Sequence, residues 1–286
     1  MRSGFVPVAG RPNVGKSTLV NVLCGGKVAI VSDKPQTTRR RVAGVANGPD
    51  WQLVLVDLPG FQRPRDALTE HMQRTVDRAL EAVDGVLFVL SARERIGAGD
   101  RFIAERVFAL GAPVVIALNK VDRLKPAHIA QQMKAASELG DFEALHPVSA
   151  LTREGVSELR DELVGLLPEG PEYFPPEQRS DVPVEDQIAE LIREKALELT
   201  RDEVPHALTV QVDELAEKVV RATVFVETDS QKQIVIGKGG SLIKQIGTRA
   251  RPEIELLLGH RVFLELRVKA RPRWRRDEGM LERLGI

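Results

Sequence analysis

Cysteine is almost missing from this chain. Among 286 residues only Cys24 is present, so no intramolecular disulfide can form and a reducing compartment is expected. The opening MRSGFVPVAG has no apolar run of the kind that directs secretion. No apolar stretch approaches the length that spans a bilayer; GVLFVL (85–90) and PVVIAL (113–118) have the length and β-branching of buried strands. These absences predict a soluble, cytoplasmic protein. The five histidines, His71, His128, His146, His206 and His260, show no metal-ligand spacing. No G-x-S-x-G element marks a hydrolase nucleophile, and acidic pairs such as Asp277-Glu278 are most simply read as helix-start residues.

What is present suits one large or two ordinary domains: 43% hydrophobic and 29% charged residues can bury a real core. The formal net charge of +0 hides an asymmetry. Lys232 to Arg276 contains twelve lysines and arginines against three glutamates, a local excess of +9 that the rest of the chain balances. Such segregation points to an anionic partner for the basic part, against the plainer alternative of a solvated basic face.

Short β-like runs alternate with helical stretches in the first part: FVPVAG (5–10), LVLVDL (53–58), GVLFVL, PVVIALN (113–119) and LHPVSA (145–150), with amphipathic segments at 69–83 and 101–111 and a last helix near 155–167. Continuously apolar strands separated by helices predict an α/β domain, a mostly parallel sheet with helices on both faces. Residues 168–184 hold five prolines and break regular structure. The expected division is a nucleotide-binding domain over 1–168, a proline-rich linker over 169–184 and a second domain over 185–286. A helix (184–200), two strands (207–215, 219–228), a glycine loop, a helix to about 257 and a strand (261–270) give that domain an α+β order.

GRPNVGKS (10–17) follows a strand and precedes a helix. This is the context in which Gly10, Arg11, Pro12, Asn13, Val14, Gly15, Lys16 and Ser17, with Thr18 beyond, cradle phosphates through backbone N–H groups and a helix N-terminus. Lys16 would reach the β- and γ-phosphates, and Ser17 would ligate Mg²⁺. NKVD, comprising Asn119, Lys120, Val121 and Asp122, ends another strand. The Asp122 carboxylate can accept from guanine N1–H and the exocyclic amine, donors that adenine does not present there. Asn119 would tie this loop to the phosphate loop and Lys120 would lie over the base. In SAL (Ser149, Ala150, Leu151) a backbone N–H could meet guanine O6. DLPG supplies Asp57, expected to hold Mg²⁺ through water, then Leu58, Pro59 and Gly60, whose N–H would sense the γ-phosphate. In PQTTRRR (35–41) Thr38, rather than Thr37, is expected to complete the metal shell.

Together these motifs resemble the translation-factor class of small GTPases. Lys16, Thr38, Gly60 and Asn13 are the catalytic candidates. Phe61 follows DLPG where Ras-like switches carry a water-orienting glutamine, and Gln62 is out of register, so slow intrinsic hydrolysis is expected. Asn13 resembles the asparagine with which some related GTPases hold potassium; the simpler alternative is that it caps its own turn.

QKQIVIGKGGSLIKQIG (231–247) presents a β-branched run, then Gly237-Lys238-Gly239-Gly240, then a helix, without the G-K-[ST] ending of a phosphate cradle. That G-x-x-G arrangement is that of a KH domain, which clamps single-stranded nucleic acid. Taken alone, the same letters describe a simple turn into a helix. Lys232, Lys244, Arg249 and Arg251 flank it, and Ile236 and Ile243 offer apolar surface for bases. In the tail Arg271, Arg273, Arg275 and Arg276 surround Trp274, which either stacks on bases or anchors the terminal helix.

GRPNVGKSTL, PQTTRRR, NKVD, VIGKGGSLIKQIG and FLELRVKARPRWRRDE, in this order, resemble the Era family over essentially the whole chain. DLPG departs from that family's usual DTPG; Leu58 is not expected to touch the metal. The α-β-β-α-β order resembles a type II KH domain, and the motifs call for Mg²⁺ with GTP or GDP, with potassium at Asn13 as one of its two readings; the family resemblance implies RNA-stimulated hydrolysis. It also implies binding of the 3′ end of small-subunit rRNA, assistance in 30S assembly and peripheral contact with the inner membrane. A monomer is expected. The alternative is a membrane-surface GTPase whose basic domain meets anionic lipid or a protein partner.

Overall fold

The computed structural model describes residues 1–286 except 35–36, 61–65 and 81–82; Phe61 and Gln62, and Pro35 and Gln36 of PQTTRRR, lie outside the described residues. By contacts the chain forms two units, as far as they are described: residues 1–31, 38–64 and 69–181, and residues 32–37, 65–68 and 182–286.

The sheet of the first unit is built from β1 (Arg2–Ala9), β2 (Val42–Gly48), β3 (Trp51–Asp57), β4 (Val86–Ser91), β5 (Val114–Asn119) and β6 (Ala144–Pro147). Their spatial order is β2-β3-β1-β4-β5-β6, with β2 antiparallel to β3 and the other neighbours parallel. The helices are α1 (Lys16–Leu23), α2 (Ala67–Ala79), α3 (Ala98–Phe108), α4 (Pro126–Ser137) and α5 (Val156–Leu166). Successive side chains of a strand point to opposite faces, which is why every residue of β4 is apolar or small. Leu87 and Val89 join a core with Leu19 of α1 and Leu159 of α5, whereas Phe88 and Leu90 join a second core with Ile103 and Val107 of α3. From β1 the sheet runs to β3 on one side and β4 on the other. Such a reversal opens a crevice at the carboxyl ends of the strands, the usual ligand position in an α/β sheet.

The predicted strands and helices of this unit are present with ends shifted by a few residues. Two elements were not expected, β2 and α4. Residues 168–181, read as linker from their prolines, are hydrogen-bonded to the first unit. Ser3 N donates to Pro168 O at 3.0 Å, Gln52 Nε2 to Phe174 O at 2.7 Å, and Val45 N to Arg179 O at 2.9 Å. Tyr173 meets Phe5 edge to face, ring centroids 4.8 Å apart.

The second unit contains α6 (Val184–Leu199), α7 (Val204–Ala207), β7 (Thr209–Ala216), β8 (Val219–Val226), α8 (Asp229–Ile236), α9 (Ser241–Leu258), β9 (Phe263–Ala270) and α10 (Glu278–Arg283). Its sheet is β7-β8-β9, with β7 antiparallel and β9 parallel to β8. Ile188 and Ile192 of α6, Val224 of β8 and Ile246 and Ile254 of α9 share its core. Within this unit Arg193 is buried and donates to the Thr37 carbonyl.

The β-branched run before the glycine loop is helical, not extended. Thr228 and Gln231 form a reciprocal cap: Gln231 N donates to Thr228 Oγ1 at 3.2 Å and Thr228 N to Gln231 Oε1 at 3.1 Å. A cap of this kind contributes about 1 kcal/mol, and burial of Val235 adds to it. Together they outweigh the weak strand preference of Ile234, Val235 and Ile236. Trp274 is fully buried, its indole N–H donating to Ala207 O at 2.7 Å. It is therefore an anchor of the core and not a stacking platform. Among the described residues, no helix is long and apolar enough to cross a membrane.

Candidate nucleotide site and nucleic-acid groove

The loop after β1 turns through Gly10 (φ 148°), Asn13 (φ 64°) and Gly15 (φ 100°) before α1 begins. At Gly15 the backbone is left-handed and a Cβ would run into the Asn119 amide, so only glycine fits. Asn13 is exposed, and its left-handed backbone is one that asparagine tolerates. Lys16 is buried and folds back on its own loop, donating to Gly10 O at 3.2 Å and Arg11 O at 3.1 Å. Burial draws its ammonium down to about 8, opposed by the charge of Asp57.

At the end of β3 the fully buried Asp57 accepts from Ser17 Oγ at 2.6 Å and from Thr38 Oγ1 at 3.2 Å, both on Oδ2. The two hydroxyls are 3.0 Å apart. Burial raises the Asp57 carboxyl above its ordinary value, with Lys16, Ser17 and Thr38 holding it back. Its Oδ1 is buried with no hydrogen-bond partner among the described residues. Two hydroxyls on one carboxylate oxygen, beside an orphaned second oxygen, form an all-oxygen donor set that suits a hard divalent cation. Thr37 does not join them; its hydroxyl donates to Lys34 O at 2.6 Å. Leu58 turns into the apolar core. Pro59 is buried as well, and a Cβ on Gly60 would meet Pro12 Cγ at 2.8 Å.

NKVD stands at the end of β5. Asn119 Nδ2 donates to Val14 O at 2.9 Å, and its Oδ1 accepts from Lys120 N at 2.8 Å and Ala150 N at 3.0 Å. One buried amide thus joins the phosphate loop, NKVD and SAL. Lys120 (φ 69°) donates its ammonium to the Asn13 carbonyl. Val121 is buried, Ser149 Oγ donates to Asp122 Oδ1 at 2.9 Å, and Leu151 is exposed. Three residues that no motif indicated, Arg93, Glu94 and Asp100, also converge here. Arg93 Nη2 lies 2.5 Å from Asp122 Oδ2, and Arg11 is held by Asp100 at 2.7 Å and Glu94 at 3.0 Å.

In the second unit Gly237 (φ 73°), Gly239 (φ 59°) and Gly240 (φ 79°) form the turn between α8 and α9, with Lys238 exposed. Beside the start of α9 runs a groove of about 300 Å³, lined by Ile243, Lys244, Gly247, Thr248 and Arg251 of α9 and Leu264 and Leu266 of β9. Its floor is apolar and its rim cationic, as a single strand with flat bases and an anionic backbone requires. Of the residues expected here, Ile243, Lys244 and Arg251 line the groove; Lys232 and Ile236 are half-buried outside it, and Arg249 pairs with Glu198 at 3.7 Å. Gly247, Thr248, Leu264 and Leu266 were not foreseen; a Cβ at Gly247 would already touch Leu266 at 3.4 Å. In the tail Arg271 pairs with Asp277 at 2.6 Å and Arg275 with Asp66 at 3.0 Å, while Arg273 and Arg276 are exposed.

Residues 5–120 match the model of a family described as 50S ribosome-binding GTPase, and residues 203–275 match that of the KH domain. Two solved structures are similar along the whole chain. Era in complex with MgGDPNP and nucleotides 1506–1542 of 16S ribosomal RNA shares 38% identity, with a TM-score of 0.96 over 100% of this chain and 99% of that one. A variant of Aquifex aeolicus Era bound to GDP·AlF4⁻ shares 37% identity, with the same score and coverage. The first unit has the P-loop GTPase fold and the second the KH fold. Matched from end to end, with both modules in the same order, this chain belongs to the Era family.

Proposed function

We propose that this chain is a GTP-hydrolysing switch that binds the 3′-end region of small-subunit rRNA and assists 30S subunit assembly. The observation that carries this is the full-length similarity to an Era structure holding MgGDPNP and a 16S rRNA segment together, joined to a site and a groove chemically suited to each. Residues 1–168 serve nucleotide binding and 185–286 RNA binding, with 169–184 between them, in a cytoplasmic protein.

Lys16, now donating to two carbonyls, turns to the stronger acceptors of the β- and γ-phosphates. The hydroxyls of Ser17 and Thr38 and the carboxylate of Asp57 hold Mg²⁺, Asp57 through water. The bound ion neutralises charge developing on the phosphate oxygens. Gly60 presents its N–H to the γ-phosphate; Asp122 reads the guanine edge; Asn13 offers a ligand for potassium. On the RNA side Gly237, Lys238, Gly239 and Gly240 clamp the backbone while bases enter the groove over Ile243. Arg273 and Arg276 are the tail residues placed to meet phosphates.

The test is binding of a labelled single strand matching the rRNA 3′ end, against a scrambled strand, with a GTP analogue or GDP at one fixed salt concentration. Tight, sequence-dependent, GTP-favoured binding is expected. Weak binding, equal for both strands and both nucleotides, would overturn the RNA half of the proposal.

A further inference from the structure

The carboxylate assigned to read guanine already has a cation against it. Asp122 has a side chain only 7% exposed; Oδ1 accepts from Ser149 and Oδ2 lies 2.5 Å from Arg93 Nη2. Arg93 belongs to the turn after β4, outside all the nucleotide motifs. That turn also reaches the phosphate loop, through Glu94 to Arg11 Nη2 at 3.0 Å and, at the start of α3, Asp100 to Arg11 Nε at 2.7 Å. One short segment is thus tied to both the phosphate and the base ends of the site. Lys120 senses the same group: burial lowers its ammonium, Arg93 adding to the effect while Glu94 and Asp122 oppose it.

We propose that Arg93 competes with guanine for Asp122, weakening nucleotide binding and hastening release. This rests on the reading that Asp122 recognises guanine. The guanine edge offers two neutral N–H donors to the carboxylate, and their hydrogen bonds are strong because the acceptor is charged. A guanidinium on Oδ2 claims lone pairs and compensates that charge, so the base must displace or share it. Arg93 is 47% exposed and can swing into water at small cost. The competition therefore tunes affinity and does not block the site.

The experiment uses the full chain with Mg²⁺ and a fluorescent GDP analogue, comparing wild type with Arg93→Ala in equilibrium titration and displacement kinetics. Removal of a partly exposed ion pair should tighten binding roughly two- to fivefold, chiefly through slower release. Unchanged or weaker binding would overturn the proposal, because Arg93 would then be inert or a buttress of Asp122. A second arm uses Asp122→Asn, which replaces an acceptor by a donor and so suits the 2-carbonyl of xanthine. With a xanthosine diphosphate analogue, Arg93→Ala should change nothing in that background; tightening there would show that Arg93 does not act through Asp122. If the wild type does not prefer guanine over adenine nucleotides, it is the nucleotide assignment that fails, a separate result.

Discussion

Ser17 Oγ lies 2.6 Å from Asp57 Oδ2, although the two residues are 40 positions apart. One opens α1 and the other ends β3, so the parallel pairing of β1 with β3 sets their separation. Val8 stands opposite Asp57 in that register. The oxygen that Ser17 does not touch, Oδ1, is buried with no partner among the described residues. Leaving such an oxygen unpaired costs on the order of 1–3 kcal/mol, which a metal-bound water would relieve.

Ser17→Ala should uncouple nucleotide binding from Mg²⁺. In the wild type, chelating Mg²⁺ is expected to weaken binding of a fluorescent GDP analogue by about tenfold or more. In the variant, titrations with and without EDTA should coincide.

The two neighbouring threonines should separate cleanly. Thr38 Oγ1 sits 3.2 Å from Asp57, whereas Thr37 bonds Lys34 O. Thr38→Ala is expected to lower kcat for GTP by about tenfold or more, the scale of losing one group that serves the transferring phosphoryl. Thr37→Ala should stay within about twofold. Single-turnover phosphate release measures both.

A negative charge placed in the second glycine loop should weaken RNA binding and spare the nucleotide. Gly239 suits this better than Gly237: a Cβ at Gly239 meets nothing within 4 Å, whereas at Gly237 it would press on Leu242 N at 2.8 Å. Aspartate also tolerates the left-handed backbone of this position. Gly239→Asp should weaken single-strand binding at least about tenfold through repulsion of the phosphates, with GDP affinity unchanged and Tm lowered by no more than a few degrees through the left-handed backbone. Loss of both activities together would sink the two-module reading.

Trp274 should act on stability. Trp274→Ala removes a fully buried indole and is expected to cost about 3–5 kcal/mol. Trp274→Phe, which keeps most of the volume but orphans Ala207 O, should cost about 1–2 kcal/mol. Urea titration followed in the second unit would show both.

Cys24 supplies a pH dependence. Burial pushes its thiol up to about 12 from an ordinary 9.0. The unfolded chain therefore ionises first, so Cys24's contribution to stability is complete below pH 9 and is lost as pH rises from 9 toward 12. Between pH 9 and 10 that loss approaches about 1 kcal/mol. Cys24→Ala should flatten the urea midpoint over this interval, and the native wild type should resist thiol reagents at pH 8.

The nucleotide site was legible in the sequence because its residues sit in loops whose spacing follows from backbone chemistry, and because each loop closes a strand apolar enough to recognise. Ser17, Thr38 and Asp57 meet as expected, and Asn119 bridges to Val14. Less legible were elements decided by their surroundings. VAGVANG becomes β2 because β3 pairs with it, despite two glycines. QIVI becomes helix because Thr228 and Gln231 cap it. The groove was visible only in part: Ile243, Lys244 and Arg251 could be chosen by chemistry and proximity to the loop. Gly247, Leu264 and Leu266 could not, since their role depends on α9 lying against β9. Arg93 gave no signal at all, an arginine in a charged turn whose partner is 29 positions away.

The pairing of residues 168–181 with the first unit bears on how that unit can be produced alone. β2 is the outer strand of the six, and chain made nearly 140 residues later closes its free side: Gly44 bridges Ser180, Ala43 N donates to Asp181 Oδ1 at 2.9 Å, and Arg41 pairs with Asp181 at 3.0 Å. A fragment ending at 168 would expose that row of N–H and C=O groups as a template for association with other copies. One ending at 181 would carry its own cover. On the ribosome, likewise, the nascent first unit keeps an open, adhesive border until this late segment has emerged.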